Sequence, residues 1–237
     1  MHWPRATDAG SRRGARGEPA SPTDAPHGRL TGTNEALRRI GGASSRRTLD
    51  PWQAAMAIYP TTIENGAGDR LTFVRRVRGP AGDHLEVEHA LVPSGGPPMH
   101  VHHHQTETLT VREGRLAWQR PGEAPQYARP GETVVFAPGE SHRFWNAGEG
   151  VLRCAGRIEP AGNAEYFLAA LYDSQRRSGG RRPDPFDAAF LTRRFRGEFG
   201  MVIPPLVQRF VFPLLLAIGW LLGKFDRYAD APRPVLR

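Results

Sequence analysis

Four side chains in this sequence have the types and spacing of a metal centre. His100 and His102 stand two apart, Glu107 follows five residues later, and His142 comes after the turn Pro138-Gly139-Glu140-Ser141. On an extended chain residues i and i+2 point the same way, so His100 and His102 face together. A turn after them can return Glu107 on the neighbouring strand, and His142 can start a strand crossing the same interior. Three neutral imidazoles and one carboxylate inside a barrel make a site for one divalent transition metal: iron, manganese, nickel, copper or zinc. Such a site keeps one or two coordination positions open for chemistry. Its net positive charge favours an anionic or enolisable oxygen ligand. Glu107 is the catalytic candidate, as ligand and, by swinging off the metal, as base. No second carboxylate is expected on the pocket face.

The elements that must position these residues read as β. From Leu71 the apolar period is two: Leu71–Val77 reads as a strand, and Leu85, Val87, His89 and Leu91 share one face of the next. Strand-like runs follow near 99–103, 107–112, 116–119, 133–136, 142–145 and 151–158, separated by Gly- and Pro-rich turns. So many short strands predict an antiparallel sandwich or barrel over residues 60–160. After Pro160 the period becomes helical. Asn163 is placed to cap a helix over 164–174, Asp184-Pro185 to open one over 186–199, and Pro204-Pro205 to open an apolar helix over 206–222. The chain therefore divides into a tail (1–55), a barrel (60–160) and a helical extension (161–237).

Composition limits the alternatives. Of 237 residues, 27 are Gly and 22 are Pro, which argues against a helical bundle. The single cysteine, Cys154, excludes a disulfide framework and a thiolate zinc cluster, and reads as a small buried hydrophobe. Residues 1–50 hold nine Arg against five acidic residues with almost no periodic apolar positions, so a disordered tail is expected there. No apolar run suits a signal peptide, which points to a cytoplasmic protein. Net charge is +8, but no basic face is interleaved with aromatics and no helix-turn-helix pattern precedes the barrel, so nucleic acid is not an expected partner.

The two ligand-bearing stretches resemble the signature motifs of the cupin superfamily. The first has His100-x-His102, four residues, Glu107, six residues, Gly114; the second has Gly131, seven residues, Gly139, two residues, His142, three residues, Asn146. Gly95 stands one residue closer to His100 than is usual, and Pro138 directly precedes Gly139 instead of standing two before it; neither departure removes a ligand. Ile63-Glu64-Asn65, Phe144-Trp145-Asn146 and the tail ending in Leu221-Leu222-Gly223 look like a bacterial group of single-domain cupins with a type-2 conserved barrel. The resemblance implies a double-stranded β-helix, or jelly-roll, barrel. It also implies that His100, His102, Glu107 and His142 bind the metal.

Neighbouring residues read differently. His103 should point to solvent. His104 shares the ligands' parity but falls where the chain turns. His89 reads as a hydrogen-bonded core histidine, with pocket lining as its alternative. Trp118, Phe136 and Trp145 read as packing, and Phe144, with the parity of His142, as a pocket wall. The function expected is binding or turnover of a small anionic or enolisable molecule by a metal-dependent oxygenase. A metal-dependent isomerase and a non-catalytic binding or sensing barrel are the alternatives. The apolar helix over 206–222 needs a cover. Packing on the barrel or on a second copy in a homodimer is favoured over contact with a membrane surface, and a bilayer span is the third choice, since only 12 residues from Val211 to Leu222 are free of charge.

Overall fold

The computed structural model describes residues 58–79 and 82–235; the tail expected over residues 1–55 lies outside them. Among the described residues ten strands precede the first helix: β1 (Thr61–Glu64), β2 (Arg70–Gly79), β3 (Gly82–Leu91), β4 (His100–His102), β5 (Thr106–Glu113), β6 (Leu116–Gln119), β7 (Gln126–Ala128), β8 (Thr133–Phe136), β9 (Ser141–Asn146) and β10 (Leu152–Glu159). An eleventh, β11 (Phe199–Met201), comes late in the chain. They pair into a six-stranded sheet, β1-β2-β3-β10-β5-β8, and a five-stranded sheet, β11-β4-β9-β6-β7. Every pairing is antiparallel, and the architecture is the double-stranded β-helix.

The period-two pattern explains the barrel's inside. On β3, Leu85, Val87, His89 and Leu91 are buried while Glu86 and Glu88 point away. Leu109, Val111, Leu116, Phe136, Phe144 and Leu152 close one end of the interior as a dry core. The other end is covered by the extension after the barrel, whose Phe167, Leu191, Phe195 and Phe199 pack with Leu71, Phe73 and Ile158. Burying one such side chain contributes about 1.5–3 kcal/mol.

Three helices follow: α1 (Ala164–Arg177), α2 (Pro185–Arg194) and α3 (Phe212–Leu221). Asp184 caps α2 as expected, accepting from the amides of Phe186 and Asp187. Asn163 precedes α1 but does not cap it with its side chain. Its amide donates instead to Glu198 Oε1 (2.6 Å) and to the Arg233 carbonyl (3.0 Å). A buried carboxylate outcompetes the helix terminus for that donor.

The helix expected over 186–199 stops at Arg194, and Phe199–Met201 becomes β11. Gly197 and Gly200 weaken helix continuation, and β11 gains a partner in β4, with Phe199 opposite His102 and Met201 opposite His100. The helix expected over 206–222 opens as a π-helical turn at Val207–Val211 before α3. Pro213 lacks an N–H, and a wider turn absorbs the missing bond. α3 lies against α2 rather than on the barrel. Its Gly219 meets the Phe225 and Phe186 rings, while Trp220 is 71% exposed. Packing of the helix on the chain's own barrel is thus not what covers its outer face. Among the described residues no helix is long and apolar enough to cross a membrane.

Candidate metal centre

His100 and His142 are directly opposite each other on the paired strands β4 and β9. The turn before His142 needs Gly139 in the left-handed region (φ 80°), and its amide donates to the His102 carbonyl (2.7 Å), tying the turn to the other ligand strand. Glu107 arrives differently from expectation. β5 is not a neighbour of β4: it lies in the six-stranded sheet between β10 and β8, so the carboxylate reaches the imidazoles across the barrel interior. Facing sheets stand about 10 Å apart, and inward side chains from both meet in the middle.

The four donor atoms lie within 4.8 Å of one another. Glu107 Oε2 is 2.9 Å from His142 Nε2, 3.5 Å from His102 Nε2 and 3.7 Å from His100 Nε2. Ligands about 2.1 Å from one ion stand about 3–4 Å apart, so these spacings suit a shared cation. Hydrogen bonding sets the tautomers. His100 Nδ1 donates to the Pro98 carbonyl and His142 Nδ1 to the Glu140 carbonyl, each at 2.9 Å. In a neutral imidazole so held, Nε2 presents a lone pair. Lone pairs converging on a carboxylate oxygen repel unless a cation sits among them, and this donor set fits a divalent metal.

Burial pushes the His102 imidazole down to about 3, so it is neutral at ordinary pH. Burial alone would raise Glu107, but with a proton instead of a metal among these groups, the charge on His102 and the hydrogen bonds from His100 and His142 outweigh it and hold the carboxyl well below its usual range. Phe136 stacks on the His142 ring at 3.7 Å, and Phe199 meets His102 edge-on at 5.3 Å. These rings fix the imidazoles in place and keep water from their outer faces.

Beside the cluster lies a cavity of about 80 Å³. Phe144, Leu71 and Ile158 of the barrel, Phe167 and Leu171 of α1, and Phe199 of β11 give it apolar walls. Phe144, a core residue, is also a pocket wall, as its parity suggested, whereas Trp118 and Phe136 belong to the core without lining the cavity. His103 and His104 are exposed, and Cys154 is buried. His89 lines the cavity at 8% exposure, and neither of its ring nitrogens has a hydrogen-bond partner. It is therefore a wall of the pocket and not the hydrogen-bonded core residue that its strand position suggested. Gly156 on the neighbouring strand makes room for Val87, since a Cβ there would stand 2.7 Å from Val87 Cγ2.

Sequence reasoning missed the far end of the cavity. Asp69, a second cavity carboxylate, is buried and accepts from Asn65 Nδ2 (3.1 Å), the Val92 amide (3.1 Å) and Arg181 Nε (3.2 Å). Gly95 passes so close to Asp69 that a Cβ would collide with Oδ1 at 2.0 Å, which accounts for a glycine just before the ligand strand. Tyr172 and Gln175 of α1 line the same end, and Gln175 Oε1 has no partner. The sequence signal was the Asn65–Asp69 turn, but nothing in it pointed inward.

Two antiparallel sheets enclosing three imidazoles and a carboxylate define the class, a double-stranded β-helix protein with a candidate metal centre. Residues 87–155 of the barrel match the family model described as the cupin domain. No curated protein matches the chain. Among solved structures, a conserved double-stranded β-helix protein from Klebsiella pneumoniae is 21% identical, with 38% of this chain and 74% of that chain covered and a TM-score of 0.34. The polyketide cyclase RemF from Streptomyces resistomycificus is 20% identical over 43% of this chain and 75% of its own, with a TM-score of 0.37. A cupin-superfamily sugar phosphate isomerase from Silicibacter pomeroyi is 15% identical over 43% and 71%, with a TM-score of 0.36.

Proposed function

We propose that the barrel holds one divalent first-row transition metal on His100, His102, Glu107 and His142, and takes a small organic molecule with an anionic or enolisable oxygen into the adjoining cavity. The observation that carries this reading is the convergence of four donor atoms beside an apolar cavity that is lined by three of the same residues. The bound metal would supply Lewis acidity or, if redox-active, a site for reaction with oxygen.

The chain's own groups do the rest. Phe144, Leu71, Ile158 and Phe167 surround the body of the molecule and exclude water, which strengthens every polar contact made inside. Glu107 supplies the negative charge of the donor set and, rotated away from His142, can accept a proton at Oε2. His89 offers one N–H and one lone pair with no competing partner, and so can pass a proton or orient a hydroxyl on the molecule. Asp69 is held by three donors and serves to position Arg181 and the Gly95 turn, not as a base.

Turnover, by an oxygenase or an isomerase, is the favoured reading because Glu107 of the donor set and His89 beside it both face the cavity and can handle a proton. Metal analysis of purified protein, followed by oxygen-uptake and product assays with enolic and phenolic acids, tests both halves. The expected outcome is one metal per chain and turnover of at least one such acid. His100→Ala with His142→Ala should abolish stoichiometric metal, whereas His103→Ala should leave it nearly unchanged. Equal loss from the His103 variant would sink the assignment. Saturable binding of these acids without product would leave the protein a binding barrel.

A further inference from the structure

The π-helical turn Val207–Val211 and α3 are apolar on both sides, and among the described residues only the inner side is covered. Leu206, Phe210, Leu214, Trp220 and Leu221 are between 60% and 87% exposed. Phe210, Leu214 and Leu221 stand four and seven residues apart, which stacks them along one helical face. Soluble monomers rarely leave a contiguous apolar patch of more than a few hundred Å² open to water, and such a patch marks an interaction site.

Charge identifies the partner. From Arg176 to Arg237 the sequence has twelve basic and five acidic residues, which is most of the chain's excess of +8. No acidic residue occurs between Glu198 and Asp226. Arg209 and Lys224 bracket the bare face, each lying over a ring, 5.9 Å from the Phe210 centroid and 5.8 Å from that of Phe186. Among the described residues neither forms an ion pair with a carboxylate. An apolar face bracketed by two cations outside any ion pair, with Asp226 the carboxylate at its C-terminal end, matches a surface that is apolar inside and anionic outside. A second copy fits worse: a two-fold contact through this face would set one cationic extension against another. The helical stretch from Val207 to Leu221 is about 22 Å long, short of the roughly 30 Å hydrocarbon core, so it would lie along the interface rather than cross it.

We propose that this face docks the protein flat on an anionic lipid surface, with Phe210, Leu214, Trp220 and Leu221 in the acyl boundary and Arg209 and Lys224 at the headgroups. The inference is independent of the metal centre. The full-length protein should sediment with phosphatidylcholine vesicles containing phosphatidylglycerol, and less with phosphatidylcholine alone. The double variant Leu214→Glu with Leu221→Glu should weaken sedimentation about tenfold or more. Both side chains are exposed, so its melting temperature should match the parent's, which separates lost docking from lost folding. Arg209→Gln with Lys224→Gln should remove much of the phosphatidylglycerol dependence. High salt should weaken binding without abolishing it, because screening acts on the charges and not on the buried apolar area. Full-length protein that stays in the supernatant with both vesicle types overturns the proposal. So does a dimer in analytical ultracentrifugation that the double glutamate variant converts to monomer, since the face would then be a self-contact.

Discussion

A buried imidazole with neither nitrogen bonded is destabilising, and His89 is in that position. An unsatisfied buried polar group costs about 1–3 kcal/mol. The proposed role in the cavity explains why a histidine stands where an aliphatic residue would fit between Leu71 and Cys154 on the adjacent strands. His89→Leu should raise stability by about 1–2 kcal/mol in denaturant titration while lowering turnover or ligand binding; a variant less stable than the parent would show that the ring is satisfied in solution. The same residues set the response to acid. Burial lowers both His89 and His102, the latter to about 3, whereas an unfolded imidazole titrates near 6.5. As pH falls below about 6.5 protons therefore bind the unfolded chain first, and stability falls through that window down to about 3. Glu107, held low in the fold, adds a loss of the same sign as pH passes down through the carboxylate range. Metal-stripped protein should show denaturation midpoints that drop steadily from neutral pH downward, with a shallower slope in His89→Leu. A midpoint independent of pH would contradict the neutral, buried assignment.

At the scale of elements, the extension after the barrel completes the site. β11 pairs with the ligand strand β4, Phe199 covers His102 and stacks on Phe167 of α1 at 4.6 Å, and α1 supplies one wall of the cavity. Glu198 anchors this assembly. Buried at 1% exposure, it accepts from the Asn163 amide (2.8 Å), Asn163 Nδ2 (2.6 Å), Val235 N (3.3 Å) and Gln105 Nε2 (3.4 Å). Hydrogen bonds to a charged group are each worth about 1.5–3 kcal/mol, and loss of the acceptor strands several donors. Glu198→Ala should lower stability by about 3 kcal/mol or more and weaken metal retention against a chelator, because β11 no longer braces β4. Unchanged chelator sensitivity would mean that β4 is held by β9 alone.

For the whole molecule, the chain's end returns to its middle. The Ala231 and Pro232 carbonyls accept from Arg194, the Arg233 carbonyl from Asn163, and Val235 N donates to Glu198. Removing Ala231–Arg237 should therefore lower the melting temperature measurably even though those residues lie far in sequence from the barrel. The glutamate substitutions on α3 should not, because among the described residues nothing packs on that face. If truncation and the α3 variants behave alike, the end-to-middle contacts contribute nothing.

What the sequence determined by itself was local. Two histidines two apart on an extended strand must share a face, and a Pro-Gly turn before His142 must start a strand, so the clustering of the four candidate donors was legible from spacing and motif. The period-two runs located most of the barrel strands to within a residue or two. Tertiary structure decided whatever depended on partners distant in sequence. Glu107 crosses from the opposite sheet, because strand order in a double-stranded β-helix is not chain order. Residues 199–201 are a strand because β4 has an edge to pair with, a contact about 100 residues away that no local pattern records. Asp69 and His89 became cavity residues only when α1 closed over them. The apolar helix was plain in sequence, but which of its faces is covered depends on α2 and Phe225 packing against one side of it, while among the described residues none reaches the other.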